Sequence, residues 1–189
     1  MTENSQTQGN QREYYSPYWL WKQAVPKEVI DILMTQVGQS EMIKAGTDAN
    51  GKYNERNTDV LLANGYHWFA GILANAAINS NIDAQWGYDV KAIETFQIAR
   101  YKEGQFYNWH TDANILHKDI NIRKLTVVCM LSEPNEFTGG ELELQNVPNV
   151  ALEKGDIIVF HSLIPHRVTP IVSGTRYTAT TWLYGKRSI

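Results

Sequence analysis

RYKEGQFYNWHTD (residues 100–112) closes on a His-x-Asp pair, His110 and Asp112, and stands where the hydrophobic period of the chain changes. Just ahead of it, Glu94, Phe96, Ile98 and Arg100 fall on one face of an alternating pattern. Ile93, Thr95, Gln97, Ala99 and Tyr101 fall on the other, as in a β-strand. Beyond it the chain reads as strands at 105–112, 123–131, 140–145, 156–161, 165–171 and 176–184. Turn signals separate them: Glu-Pro-Asn at 133–135, Thr-Gly-Gly at 138–140, Val-Pro-Asn at 147–149, Lys-Gly-Asp at 154–156 and Ser-Gly-Thr at 173–175. Short strands so closely spaced predict an all-β sandwich or barrel.

Upstream the pattern is helical. Pro26 can open a helix, because the N–H that proline lacks has no partner in the first turn. Val29, Leu33 and Val37 then recur every four residues, and Gly38 is a suitable stop. A second helix is predicted over 66–78, with Phe69, Ile72, Leu73 and Ala76 inward and Asn79-Ser80-Asn81 as its end. Residues 14–21 read as an aromatic edge strand and 44–57 as a loop. Residues 1–12, MTENSQTQGNQR, have nothing to bury and read as a disordered tail. The chain is thus expected to be a tail followed by one domain over 13–189, helical over about 13–90 and β over about 90–185.

At 189 residues the chain can bury a sizeable core. A net charge of −3 gives no reason to expect nucleic-acid binding. One cysteine, Cys129 in LTVVCML (125–131), excludes a disulfide within the chain and reads as a small buried hydrophobe. The polar N-terminus is no secretory signal and no apolar run approaches a membrane span, so the expected location is cytoplasmic.

On a strand, residues two apart point the same way, so His110 and Asp112 can reach one metal ion. His166, in IPHRVTP (164–170), must come from another strand, which a jelly roll supplies by setting distant segments side by side. Two imidazoles and one carboxylate leave three octahedral positions open, the facial arrangement of non-haem Fe(II) oxygenases. Zinc accepts the same donors, and His-x-Asp by itself is as readily a pair of surface polar residues. Arg176 weighs toward iron. Open positions call for a chelating co-substrate such as 2-oxoglutarate, whose far carboxylate fits an arginine fork. If 165–171 and 176–184 are antiparallel neighbours turning at Ser173-Gly174, Arg176 lies across from His166. A surface strand residue is the plain alternative for Arg176. A metal hydrolase and a non-catalytic metal-binding jelly roll stand as alternatives of a different class. His117 and His161 read as bystanders, with His161 near the site mouth, and His67 as a helix-surface or packing residue.

The pattern resembles the Fe(II)/2-oxoglutarate-dependent dioxygenases, specifically their prolyl 4-hydroxylase-like branch. The resemblance rests on RYKEGQFYNWHTD, then LSEPNEFTGGELEL (131–144), EKGDIIVF (153–160) and PHRVTPIVSGTRYTATTWLYG (165–185), in consistent order. A weaker match lies at ERNTDVLL (55–62). It implies a double-stranded β-helix, the cupin-like jelly roll. It also implies Fe(II) on His110, Asp112 and His166, with 2-oxoglutarate on Arg176. Tyr101, Thr180 and Trp182 match positions lining the co-substrate pocket. It further implies that O2 is consumed, that no side chain need act as general base and that ascorbate can serve as a reductant. Where Met130 stands, some relatives have a tyrosine that holds the far carboxylate, and methionine cannot donate that bond. Tyr101 or Thr126 is the implied substitute.

The implied substrate is a prolyl residue in a peptide or protein, with a free amino acid or small metabolite as the alternative. The segments 112–122 and 44–65 are expected to close over it. Tyr107 and Arg56 are candidate substrate contacts, against plain readings as a core aromatic and a solvated loop charge. Trp182 has the core-aromatic alternative as well. Nucleic-acid oxygenases of this kind carry a second arginine six residues after the first, where this chain has Trp182. Neither a nucleic acid nor a membrane is expected as partner, and the expected state is monomer or homodimer.

Overall fold

The computed structural model describes residues 16–45, 55–113 and 121–186. The expected tail, the middle of the 44–57 loop and most of the 112–122 segment, including His117, lie outside them. Two helices and eleven strands follow in the order β1 (Tyr18–Trp21), α1 (Lys27–Gly38), β2 (Ile43–Ala45), β3 (Arg56–Asn64), α2 (Trp68–Asp83), β4 (Ala92–Lys102), β5 (Phe106–His110), β6 (Asn121–Met130), β7 (Phe137–Gly139), β8 (Leu142–Leu144), β9 (Ile157–His161), β10 (His166–Val168) and β11 (Ile171–Lys186). Every pairing among them is antiparallel.

The strands run β1-β9-β6-β11-β4-β3-β5-β10-β8, with β2 beside β3 and β7 beside β11. β3 is the corner. Its residues 59–64 pair with β4, and Arg56 and Asn57 pair with β5. The sheet thereby curls over on itself as a jelly roll. The larger layer holds β1, β9, β6, β11, β4 and most of β3. The smaller holds β5, β10 and β8.

Strand alternation sorts the side chains into two cores. Phe96, Ile98, Leu125, Val127, Cys129, Ile157, Val159, Ala179 and Leu183 face the helices. There they meet Ile30, Leu33 and Val37 of α1 and Phe69, Ala70, Leu73, Ala74 and Ala77 of α2. Val60, Ala99, Tyr101, Val128, Leu142, Leu144, Ile158, Phe160, Val168 and Ile171 face the bore between the layers. The two faces read for 93–101 are thus the helix side and the bore side of β4, and Cys129 is fully buried as expected.

Several expectations need correction. The 44–57 segment is not all loop, since β2 and the start of β3 fall within it. The strand at 56–64 is hard to read in the sequence because its polar Thr58 and Asp59 are buried while Leu62 is exposed, so polarity does not alternate with burial. The second helix does not stop at Asn79-Ser80-Asn81. Ser80 is buried, donates to the Ala76 carbonyl and accepts the Trp21 indole N–H at 2.8 Å, so the helix continues to Asp83. Ser173-Gly174-Thr175 is not a hairpin. β11 runs straight through it with a register shift against β7, and Gly174 (φ +81°) has no room for a Cβ beside the Glu136 carbonyl. β10 and β11 therefore belong to opposite layers, and Arg176 pairs across to Tyr101 of β4. No helix among the described residues is long and apolar enough to cross a membrane.

Candidate metal centre and co-substrate pocket

β5 and β10 are paired so that His166 stands directly opposite His110. Asp112 follows just beyond the end of β5. Its backbone N–H and that of Ala113 both donate to the Ser162 carbonyl at 3.0 Å, which fixes the turn. One ligand atom from each of His110, Asp112 and His166 lies within 4.8 Å of the others. His110 Nε2 is 3.7 Å from Asp112 Oδ1, and His166 Nε2 is 3.4 Å from Asp112 Oδ2.

The tautomers follow from the neighbours. His110 Nδ1 lies 2.7 Å from the Asn108 carbonyl and His166 Nδ1 lies 2.9 Å from that of Ile164. A carbonyl can only accept, so each ring donates from Nδ1 and presents Nε2 to the cluster, the atom a metal would take. Burial, reinforced by the facing His166, pushes the His110 imidazole down to about 4, so it stays neutral. Burial raises the Asp112 carboxyl, but His166, His110 and the Trp182 N–H outweigh it and hold the group well below the usual carboxylate range.

Asp112 Oδ2 accepts from Thr126 Oγ1 at 2.8 Å and from Trp182 Nε1 at 2.8 Å. The Thr126 hydroxyl also meets Ser162 Oγ at 2.9 Å. With Oδ2 so engaged, Oδ1 is the oxygen left for a metal. Thr126, Ser162 and the Asp112-directed role of Trp182 were not legible in the sequence, where no spacing links them to Asp112.

His110, Asp112, His166, Thr126 and Trp182 line one cavity of about 280 Å³. Arg176, 1% exposed, stands in its wall, with Cζ 5.5 Å from the Tyr101 ring centroid. Its Nε and Nη1 are buried with no partner, and burial lowers its pKa. A buried guanidinium with idle donors is costly unless a ligand meets it. Tyr101, Thr178, Thr180 and Trp182 line the same cavity. Met130 does not. It faces a separate groove with Phe137, Leu142 and Val150. The Thr126 hydroxyl is committed to Asp112 and Ser162, which leaves Tyr101 as the aromatic beside Arg176.

Tyr107 stacks on the His110 ring (centroids 3.5 Å apart, 10° between planes), and Arg56 Cζ lies 4.6 Å from the Tyr107 centroid. Both line the cavity, and Tyr107 also packs against the bore-side core. Arg123, which the sequence reading missed, lies over the Trp182 ring at 4.0 Å and donates twice to Glu94 at 2.6 Å. His161 is not near the site mouth. It faces the helix side, buried, 2.8 Å from the Tyr88 hydroxyl and 4.5 Å from the Trp86 ring. His67 is the expected packing residue: it accepts from the Phe69 N–H at the start of α2 and stacks on Phe96.

A jelly roll whose bore holds a 2-His-1-carboxylate cluster and an unpartnered buried arginine defines a cupin-like oxygenase fold. Residues 96–184 match the 2OG-Fe(II) oxygenase superfamily. A PKHD-type hydroxylase of Synechococcus sp. (strain CC9605) is 30% identical over 98 residues, covering 50% of this chain and 43% of that protein. The chain therefore spans less than half the length of that relative. Among solved structures, the viral collagen prolyl hydroxylase of Paramecium bursaria Chlorella virus-1 superposes with a TM-score of 0.73 at 20% identity, over 90% of this chain and 97% of that one. A Trichoplax adhaerens prolyl hydroxylase, in complex with a hypoxia inducible factor oxygen degradation domain peptide fragment, gives 0.67 at 18% identity over 89% and 83%. Just under half of the chain thus matches the 2OG-Fe(II) oxygenase superfamily, and its fold is that of the prolyl hydroxylase structures. The donor set and the idle Arg176 fork both fit Fe(II) and 2-oxoglutarate.

Proposed function

We propose that this chain is an Fe(II)- and 2-oxoglutarate-dependent dioxygenase that hydroxylates a prolyl residue of a peptide or protein. Substrate C–H, 2-oxoglutarate and O2 would become product C–OH, succinate and CO2. The observation that carries the reading is the presence, in one cavity, of the His110–Asp112–His166 cluster and of Arg176 with buried, unpartnered Nε and Nη1. A hydrolase has no use for that second feature.

His110 and His166 would offer Nε2, and Asp112 would offer Oδ1, to Fe(II). Arg176 would hold the far carboxylate of 2-oxoglutarate, with Tyr101, Thr180 and Trp182 walling it. Bound iron and co-substrate supply the O2-activating chemistry. The protein orients the ligands, keeps His110 neutral and excludes water, and no side chain needs to act as general base. Tyr107 and Arg56 would contact substrate. The prolyl peptide reading is supported by the hydroxylase relatives and by the peptide-bound structural relative. Ascorbate as a reductant belongs to the same proposal.

The test is anaerobic titration with Fe(II) and 2-oxoglutarate, followed through the visible charge-transfer band of the chelate, in the wild type and in Arg176→Ala. A band in the wild type that weakens in the variant is the expected result, with succinate and +16 Da products from prolyl peptides on admitting air. Iron bound without any band would overturn the reading.

A further inference from the structure

We propose that Arg56 selects the substrate and that what it selects is a carboxylate carried close to the carbon being hydroxylated. This rests on the oxygenase reading above and narrows its substrate class.

Arg56 opens β3 opposite Tyr107 of β5. Its Nη2 donates to Gln97 Oε1 at 3.1 Å, and its Nε is buried with no partner. No carboxylate among the described residues forms an ion pair with it. Tyr107 lies between Arg56 and the metal cluster in contact terms, touching Arg56 at 4.6 Å and His110 at 3.5 Å.

Arg56 is not a second hand on the co-substrate. It bonds Gln97, whereas Arg176 stands against Tyr101, and these two residues share a face of β4 four positions apart. At about 3.3 Å per residue that separation is roughly 13 Å along the strand.

Charge identifies the missing partner. Arg123 is matched by Glu94. Asp112 is the only carboxylate lining the cavity among the described residues. Divalent iron and Arg176 together offset Asp112 and the two charges of 2-oxoglutarate. With Arg176 assigned to 2-oxoglutarate, Arg56 is, among the described residues, the one cavity arginine left without an acidic partner. A substrate carbonyl would satisfy the Nε–H and leave the charge without an acidic partner, while a carboxylate answers both needs. The carboxylate can come from a free amino acid or chain terminus, or from an Asp or Glu beside a peptidyl proline.

The holoenzyme, supplied with Fe(II), 2-oxoglutarate and air, is to be given a pool read by mass spectrometry for +16 Da products. The pool contains the free L-amino acids with their amides, and prolyl peptides with Asp, Glu, Asn or Gln at each flank or ending in proline acid or amide. Acids should exceed their matched amides about ten-fold or more in kcat/KM. Arg56→Gln should collapse that ratio to near unity and Arg56→Lys should restore part of it. The anaerobic chelate band should titrate alike in the wild type and both variants. Free-acid products would assign the group to an α-carboxylate, and internal Asp or Glu products to a side chain. Equal acid and amide products, a preference that survives Arg56→Gln, a chelate band displaced by Arg56→Gln, or a normal band with no product from the pool would each overturn the proposal. Failure of the chelate band in the wild type would instead remove the oxygenase reading.

Discussion

Trp182 donates its indole N–H to Asp112 Oδ2 at 2.8 Å, a bond between residues 70 positions apart that leaves only the other carboxylate oxygen for a metal. Trp182→Phe keeps most of the ring under Arg123 and deletes this bond. Loss of a partner that orients a metal ligand costs about 10- to 100-fold in metal affinity. Fe(II) titration of the variant should show a fall in that range with the melting temperature little changed. Thr126→Val should act the same way on the same oxygen. Unchanged iron affinity in both would remove the orienting role.

Gly140 bears on Arg176 from outside the site. It sits at φ +67°, and a Cβ there would lie 2.3 Å from Ile171 Cδ1 and 3.0 Å from Arg176 Cδ. Gly140→Ala should therefore push the Arg176 stem and weaken 2-oxoglutarate binding by about ten-fold, while iron binding at the far cluster stays as it is. Isothermal titration of each ligand separately distinguishes the two effects. An affinity for 2-oxoglutarate equal to that of the wild type would mean that the arginine stem accommodates the methyl group.

The fold and the metal cluster were legible because both are carried by local periodicity. The alternation at 93–101 gives the two faces of β4, and the His-x-Asp spacing gives one side of the cluster. Arg176 was found for its chemistry, but its strand partner was misread. Ser173-Gly174-Thr175 looks like a turn, whereas Gly174 serves a bulge in a continuous strand. Arg123 and Ser162 were missed, and Thr126 was named for a different role, because their positions depend on β6 and the residues after β9 lying beside Asp112, a relationship of topology that no sequence spacing records. Arg56 was expected near the substrate, yet the idle Nε–H on which its proposed role rests appears only once β3 is seen as a strand.

His161 sets an acid limit on stability. Burial against Trp86 pushes its imidazole down to about 4 from the ordinary 6.5. The folded state thus keeps it neutral where the unfolded chain takes up a proton. Stability is unaffected above pH about 6.5 and is lost as the pH falls from there toward about 4. At roughly 1.4 kcal/mol per pH unit, the contribution between pH about 7 and pH about 5 is about 2 kcal/mol. Urea denaturation at both pH values, comparing the wild type with His161→Gln, should show the variant losing about that much less. Parallel losses would place the acid sensitivity elsewhere.

Asp156 ties the first strand and helix to the sheet that carries the site. It is fully buried, and its carboxylate accepts from Lys22 Nζ at 2.6 Å, the Gln23 N–H at 2.8 Å and the Glu153 N–H at 2.9 Å. Lys22 is half-exposed, so the ion pair itself contributes little. The two backbone N–H groups matter more, since each left unsatisfied costs about 1–3 kcal/mol. Asp156→Ala should destabilise by roughly 2–4 kcal/mol, a drop of order 10 °C in Tm for a chain of this size. Asp156→Asn retains one acceptor oxygen and should lose less. Because Asp156 lies just before β9 and does not line the metal cavity, iron and 2-oxoglutarate affinities measured well below Tm should match those of the wild type. A variant that melts normally would show that solvent replaces these bonds, and one that melts normally but fails to bind iron would mean that Asp156 communicates with the cluster.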